Sequence, residues 1–234
     1  MNQPYRLHYA PDNASLIVRL ALLELGQSFE TVLVDRSARE QRSPAYRALN
    51  PVGRIPMIET PHGPVFETGA ILLWLAETHN GLAPAADSPG RGAFLAWLFF
   101  LSNTVHAEMR MLFYPATYAG PHQSVQQGLR LRIQDNICGH LGLLDQAAGT
   151  GHSWFGAEQP TLLDIYLCPL LRWCALYPDG HTDWFRLSDT PALHAIATRF
   201  EARDTVRIAS QAEGLGPSPF SAPQRAAPPE GSAT

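Results

Sequence analysis

The spacing of hydrophobic positions changes character after residue 79. Before that point, short apolar runs suited to strands alternate with helical patterns. Tyr5 to Ala10 ends at Pro11 and predicts a first strand. Ser15 to Leu25 is apolar on most sides and predicts a helix, with Gly26 as its C-terminal stop. Phe29 to Asp35 predicts a second strand. Ser43-Pro44 pairs an N-cap residue with a first-turn proline, the start of a short helix that ends before Asn50-Pro51. Met57 to Thr60 predicts a third strand, and the Pro61-His62-Gly63 turn sends Val65-Phe66 back as a fourth. Pro64 lacks an N–H for a ladder and so assigns that fourth strand to the sheet edge. Glu67 to His79 predicts a helix. The order is βαβ, a loop helix, then ββα.

Beyond a Pro/Gly/Ala-rich linker at residues 80–90, the pattern is almost wholly helical. Arg91 to Tyr114 predicts one long helix stopped by Pro115. Pro121 to Ala148 predicts another, with Val125, Leu129, Ile133, Ile137, Leu141 and Leu144 in a single stripe. Thr161 and Asp164 form a capping-box pattern that opens a third, and Thr190-Pro191 opens a fourth. Asp204 to Glu213 predicts a short last helix. The fold class is therefore α/β plus all-α: a mixed domain at 1–79, a helical domain at 91–214, and a Pro-rich tail at 215–234 expected to be extended or disordered.

Composition narrows the function more than the fold. The 234 residues are 45% hydrophobic and 16% charged, an apolar balance that favours self-association. A net charge of −4 gives no basic footprint for nucleic acid. Residues 1–15 lack a basic segment followed by an apolar run, so no signal peptide is expected. The most apolar stretch, Phe94 to Leu101, is too short to span a membrane. Cys138, Cys168 and Cys174 fit neither a zinc site nor a disulfide framework, and the scattered histidines make no metal pattern. A reducing, cytoplasmic setting is expected.

One segment stands out chemically. Residues 50–56 read Asn-Pro-Val-Gly-Arg-Ile-Pro, a rigid turn whose second proline stands at the mouth of the third strand. A proline there gives up a ladder donor, so neighbouring backbone can serve a ligand. This segment, followed by Glu67-Thr68 at a helix start and by the Thr161–Asp164 capping box, resembles the cytosolic glutathione transferases. The resemblance covers Tyr5 to about Gly214, and the segment from Leu7 to Gly26 with the stretch from Trp97 to Met109 is most similar to bacterial beta-class members.

The resemblance implies a thioredoxin-like first domain, glutathione as co-substrate, a homodimer, and transfer of the glutathione thiolate to an electrophilic small molecule in detoxification. It implies a cis Ile55–Pro56 bond that exposes the Ile55 backbone to the cysteinyl unit of glutathione, as in strand addition. Thr68 would offer its hydroxyl and N–H to the γ-glutamyl carboxylate at a helix N-terminus, while Glu67 meets the ammonium. Arg54 and Gln41 could reach the glycine end.

The thiol needs a donor that favours thiolate. Where beta-class members carry a cysteine, this chain has Ala14, so no mixed disulfide can form there. Ser15, Asn13 and Tyr9 are the candidate donors; Ser15 reads equally as a helix N-cap. Phe99, Asn103, His106, Arg110 and Phe113 share one helix face, from which His106 can orient water or contact the thiol and Arg110 can hold an anion. Met111 and its neighbours could floor a pocket, whereas Trp173, Cys174 and Trp184 read as core. Two other functions share these residues: disulfide reduction or lyase chemistry without a protein cysteine, and a non-catalytic glutathione-fold binding or interaction protein.

Overall fold

The computed structural model describes residues 4–231; the ends of the predicted first domain and tail, 1–3 and 232–234, lie outside the described residues. A four-stranded sheet forms from β1 (Tyr5–Tyr9), β2 (Phe29–Leu33), β3 (Met57–Thr60) and β4 (Gly63–Phe66). Its order is β2-β1-β3-β4, with β1 parallel to β2 and the β3–β4 hairpin antiparallel. Pro64 lies on β4 at the edge, where its missing N–H costs no ladder bond. The crossover helix α1 (Ser15–Glu24), the loop helix α2 (Pro44–Leu49) and α3 (Thr68–His79) complete the domain.

The helical domain contains α4 (Arg91–Phe100), α5 (His106–Phe113), α6 (Pro115–Ala119), α7 (Gln123–Ala148), α8 (Leu162–Leu176), α9 (Pro191–Glu201) and α10 (Asp204–Glu213). The single long helix predicted from Arg91 is interrupted: Leu101–Val105 form a π-helical turn between α4 and α5. The hydrophobic period carries no mark of this, because the buried positions Phe94, Leu98, Leu101, Val105, Met109 and Leu112 keep spacings of three and four through the turn. On α7, Ile133, Ile137, Leu141 and Leu144 of the predicted stripe are buried, while Val125 is exposed. The capping box of α8 forms as predicted, with Thr161 N–H donating to Asp164 Oδ2 at 2.8 Å and Leu163 N–H to Thr161 Oγ1 at 3.2 Å.

The two domains share one core. Helix α1, with Leu16, Ile17, Val18 and Leu20 fully buried, packs against α3 on one side and against α8 and α10 on the other. Arg19 on this helix is buried with its Nε 2.7 Å from Glu213 Oε1 on α10. Burial pushes the Glu213 carboxyl up to about 7, against the pull of the adjacent Arg19 cation.

The tail departs from expectation. Through Gly231 it lies against the protein rather than extending from it. Phe220 is buried and stacks on Phe200. The Glu201 carboxylate accepts from the Phe220 and Ser221 N–H groups and from the Ser221 hydroxyl. Arg172 donates to the carbonyls of Leu215, Pro219 and Gln224. A composition poor in hydrophobic periodicity reads as unstructured, yet here the order comes from partners supplied by α8 and α9.

Candidate active site

The loop at residues 50–56 is held from behind. The Arg54 carbonyl accepts from the Tyr46 hydroxyl at 2.8 Å and from Asn50 Nδ2 at 2.7 Å, while Asn50 Oδ1 accepts from the Val52 N–H at 3.0 Å. Gly53 sits at φ +66°, and a Cβ there would lie 2.8 Å from the Gln41 carbonyl oxygen, so only glycine fits this turn. The Ile55–Pro56 bond is cis. Pairing of β3 with β1 begins at Met57, which leaves Ile55 beyond the ladder and facing a cleft.

That cleft, of about 780 Å³, runs between the domains. Asn13, Ala14, Arg54, Ile55, Pro56, Glu67 and Thr68 line one wall. Ser102, Asn103, His106, Ala107, Arg110 and Met111 line the other, on the π turn and α5. Glu67 adopts φ 69°, ψ 119°, outside the conformations ordinary for a residue with a Cβ. Its carbonyl accepts from the Ile71 N–H at 2.9 Å to start α3, and no side chain caps that helix. The first-turn N–H groups and the helix dipole therefore remain for an anion at Thr68. Gly69 brings α3 against the π turn: a Cβ there would stand 2.9 Å from Ser102 Oγ.

The turn after β1 distributes the three predicted thiol donors unequally. Asn13 reaches the cleft; its Oδ1 accepts from the Ala14 N–H at 2.9 Å, leaving Nδ2 to donate outward. Ser15 does not reach it. The hydroxyl is fully buried, donates to the Ala10 carbonyl at 3.0 Å and accepts from the Ala10 N–H at 3.2 Å, closing the turn. Nor does Ser15 cap α1, whose N-cap is Ala14. Tyr9 is also drawn away: its ring lies under the Arg19 guanidinium at 4.8 Å, and burial raises its pKa. Period-two and helical patterns show which residues flank a turn, but not which of them the turn folds inward.

His106 stands at the start of α5 with its Nδ1 2.9 Å from the Tyr166 hydroxyl of α8. Burial, with the nearby Arg110 charge, pulls the imidazole down to about 4, so it is neutral at physiological pH. Tyr166 is itself pushed up strongly by burial, against hydrogen bonds to the Ser102 and Thr68 hydroxyls. This tyrosine was hidden in the sequence, where it reads as one more apolar residue of α8; its place at the cleft follows only from meeting a histidine sixty positions away.

Trp173 is buried in the core, as its sequence predicts. It also borders the cleft, and its Nε1 donates to Asp12 Oδ1 at 2.9 Å. Asp12 (φ 49°) is the centre of a buried cluster that also takes the Arg172 Nε and Nη2 at 2.8 and 2.9 Å and the Tyr177 hydroxyl at 2.8 Å. This cluster fixes the turn carrying Asn13 against α8. Tyr177, Asp179 and Arg225 extend the cleft, with Arg225 of the tail in an ion pair with Asp179. Gln41 does not line it.

A cis-proline loop on a thioredoxin-like sheet, facing an uncapped helix start and closed by an all-helical domain, defines a two-domain fold with a thioredoxin-like half and a helical half. The chain belongs to the glutathione S-transferase family, with residues 4–77 matching the family's N-terminal domain. It is similar to glutathione S-transferase GST-4.5 of Xanthomonas campestris pv. campestris, 28% identical over 218 residues that span 90% of this chain and 99% of that one. Among solved structures, a bacterial beta-class glutathione S-transferase of Sphingomonas chungbukensis is 30% identical, covers 90% of this chain and 100% of its own, and superposes with a TM-score of 0.72. A Burkholderia graminis glutathione transferase, with two glutathione molecules bound per subunit, is 27% identical with a TM-score of 0.76, the match covering 91% of this chain and 90% of that one.

Proposed function

We propose that this protein binds glutathione along the first-domain wall of the cleft and transfers its thiolate to an electrophilic small molecule held against α5. The observation that carries this is the convergence of three ligand-facing features on one cleft: the Ile55 backbone, the uncapped α3 N-terminus at Thr68, and the Asn13 amide. Ile55 pairs with the cysteinyl unit as an added strand would. Thr68 receives the γ-glutamyl carboxylate, Glu67 its ammonium, and Arg54 the glycine end. The sulfur then falls beside Asn13 at the α1 N-terminus, where donors and dipole favour the thiolate.

His106, neutral and anchored by Tyr166, positions the thiol and does not act as a cation. Ala14 leaves no protein thiol at this turn, so the nucleophile is the glutathione sulfur alone. Conjugation forms the S–C bond as the leaving group departs with its electron pair; the thiol proton has already passed to solvent. Within the family we place the chain nearest the beta class. It works as a cytoplasmic homodimer, a reading supported by three unpaired thiols and by exposed Phe99 on α4 and Leu131 and Leu143 on α7.

The test is calorimetric binding of glutathione together with conjugation of a generic aryl halide. Glu67→Gln should weaken binding about 10- to 100-fold, the worth of a charge-assisted contact of about 1.5–3 kcal/mol. Asn13→Ala should instead raise the pH at which bound glutathione ionises, with little change in affinity. Wild-type protein that binds no glutathione would sink the proposal.

A further inference from the structure

The half of the cleft beyond the glutathione wall has a distinct chemistry. Its lining is aromatic and flexible: Met111, Phe113, Tyr114, Tyr118 and Tyr177. Set into it is Arg110, whose guanidinium carbon lies 5.2 Å from the Tyr114 ring centroid. The Arg110 Nε is buried with no hydrogen-bond partner. Among the described residues, Arg110 takes part in no ion pair. The adjacent Glu108 does not serve it, because that carboxylate turns to Asn136 and His140 on α7.

The acids of the cleft are accounted for elsewhere. Asp12 is bound by Arg172, and Asp179 is bound by Arg225. Glu67 belongs to the glutathione wall. His106 is neutral and so brings no positive charge to an anion in place of Arg110. A buried guanidinium N–H without an acceptor, set in an apolar wall, is costly unless a ligand supplies one.

We infer that the electrophile is an anionic aromatic compound, a flat apolar body bearing a carboxylate or similar group that Arg110 binds while Tyr114 and Tyr177 enclose the ring. The inference rests on the glutathione reading, since it assigns the remaining half of the same cleft. Arg225, held on Asp179 by the ordered tail, lines the rim of this half; its charge is already matched by that carboxylate, so it does not compete for the anion. In the reaction, the glutathione thiolate attacks the ring carbon that carries a halide. The C–S bond forms, the C–halogen bond breaks, and halide leaves with the electron pair; the carboxylate is a handle and does not react.

The experiment compares a chlorodinitrobenzoate with its uncharged primary amide, which share ring and leaving group. Wild-type kcat/KM, corrected for the uncatalysed rates, should favour the benzoate about tenfold or more, the worth of one charge-assisted contact. Arg110→Gln should remove that preference while calorimetric affinity for glutathione stays at the wild-type value. Arg110→Lys should restore part of it, since a point charge replaces a planar fork. Glutathione binding without any benzoate preference overturns this inference and leaves the glutathione reading standing. Loss of preference with a parallel loss of glutathione affinity overturns it too, because Arg110 would then serve the glutathione side. Failure of glutathione to bind overturns both.

Discussion

Replacing Arg172 by methionine tests how the helical domain holds the active-site turn. Arg172 and the Asp12 side chain are both fully buried, and the pair is bidentate, at 2.8 and 2.9 Å. Methionine fills much of the volume but leaves the Asp12 carboxylate with only the Trp173 and Tyr177 donors in a low-dielectric site. Breaking one side of such a pair costs about 3–5 kcal/mol, a large share of the roughly 5–15 kcal/mol that stabilises a typical domain. Three tail carbonyls, those of Leu215, Pro219 and Gln224, lose their donor at the same time. The exposed Gln224 end of the tail regains a partner by detaching into water, whereas the buried Leu215 and Pro219 carbonyls are left without one.

Two readouts follow. The urea midpoint should fall by roughly 1–2 M at near-constant slope. Trypsin should cut after Arg225 faster than in the wild type, because its ion pair with Asp179 depends on the tail staying in place. Adding Asp12→Asn should recover at least about 1 kcal/mol of the loss, since it removes the stranded charge. A midpoint within about 0.3 M of wild type, with unchanged proteolysis, would refute the reasoning.

Ser15→Ala should destabilise the protein by about 1–3 kcal/mol by orphaning the Ala10 backbone groups, while turnover per folded molecule is unchanged; a selective loss of turnover would return Ser15 to the site. The His106 imidazole should titrate by NMR at about 4, and a midpoint at its ordinary value would refute its desolvation in the cleft wall. Because the folded pKa lies below the unfolded one, the unfolded chain binds more protons between about 4 and 6.5, so this contribution to stability is intact above that window and is lost as pH falls through it. Gly53→Ala should cost about 1–3 kcal/mol through its positive φ and the clash with the Gln41 carbonyl, and should weaken glutathione binding by disturbing Ile55; unaltered melting and affinity would show that the loop tolerates a Cβ.

Much of this architecture was legible in the chain itself. Periods of two and of 3.6 residues, with Gly26, Pro64, the Ser43-Pro44 start and the Thr161 box, mark strands and helices because those signals are local: a missing N–H or a side-chain cap acts within a turn of its own backbone. The cis-proline turn and the helix start beside it were legible for the same reason, since Ile55-Pro56 and Glu67-Thr68 each lie within one short segment. The tertiary structure decided what depends on partners distant in sequence. It turned Ser15 and Tyr9 inward and Asn13 outward, joined His106 to Tyr166, and brought Trp173 to the cleft through Asp12. It also ordered a tail that its composition describes as loose. Whether a hydroxyl caps a turn or meets a ligand, and whether a proline-rich segment waves or packs, is settled by which buried donors lie opposite it. Here that was decided by Arg172 and Glu201, far along the chain from the turn and the tail they hold.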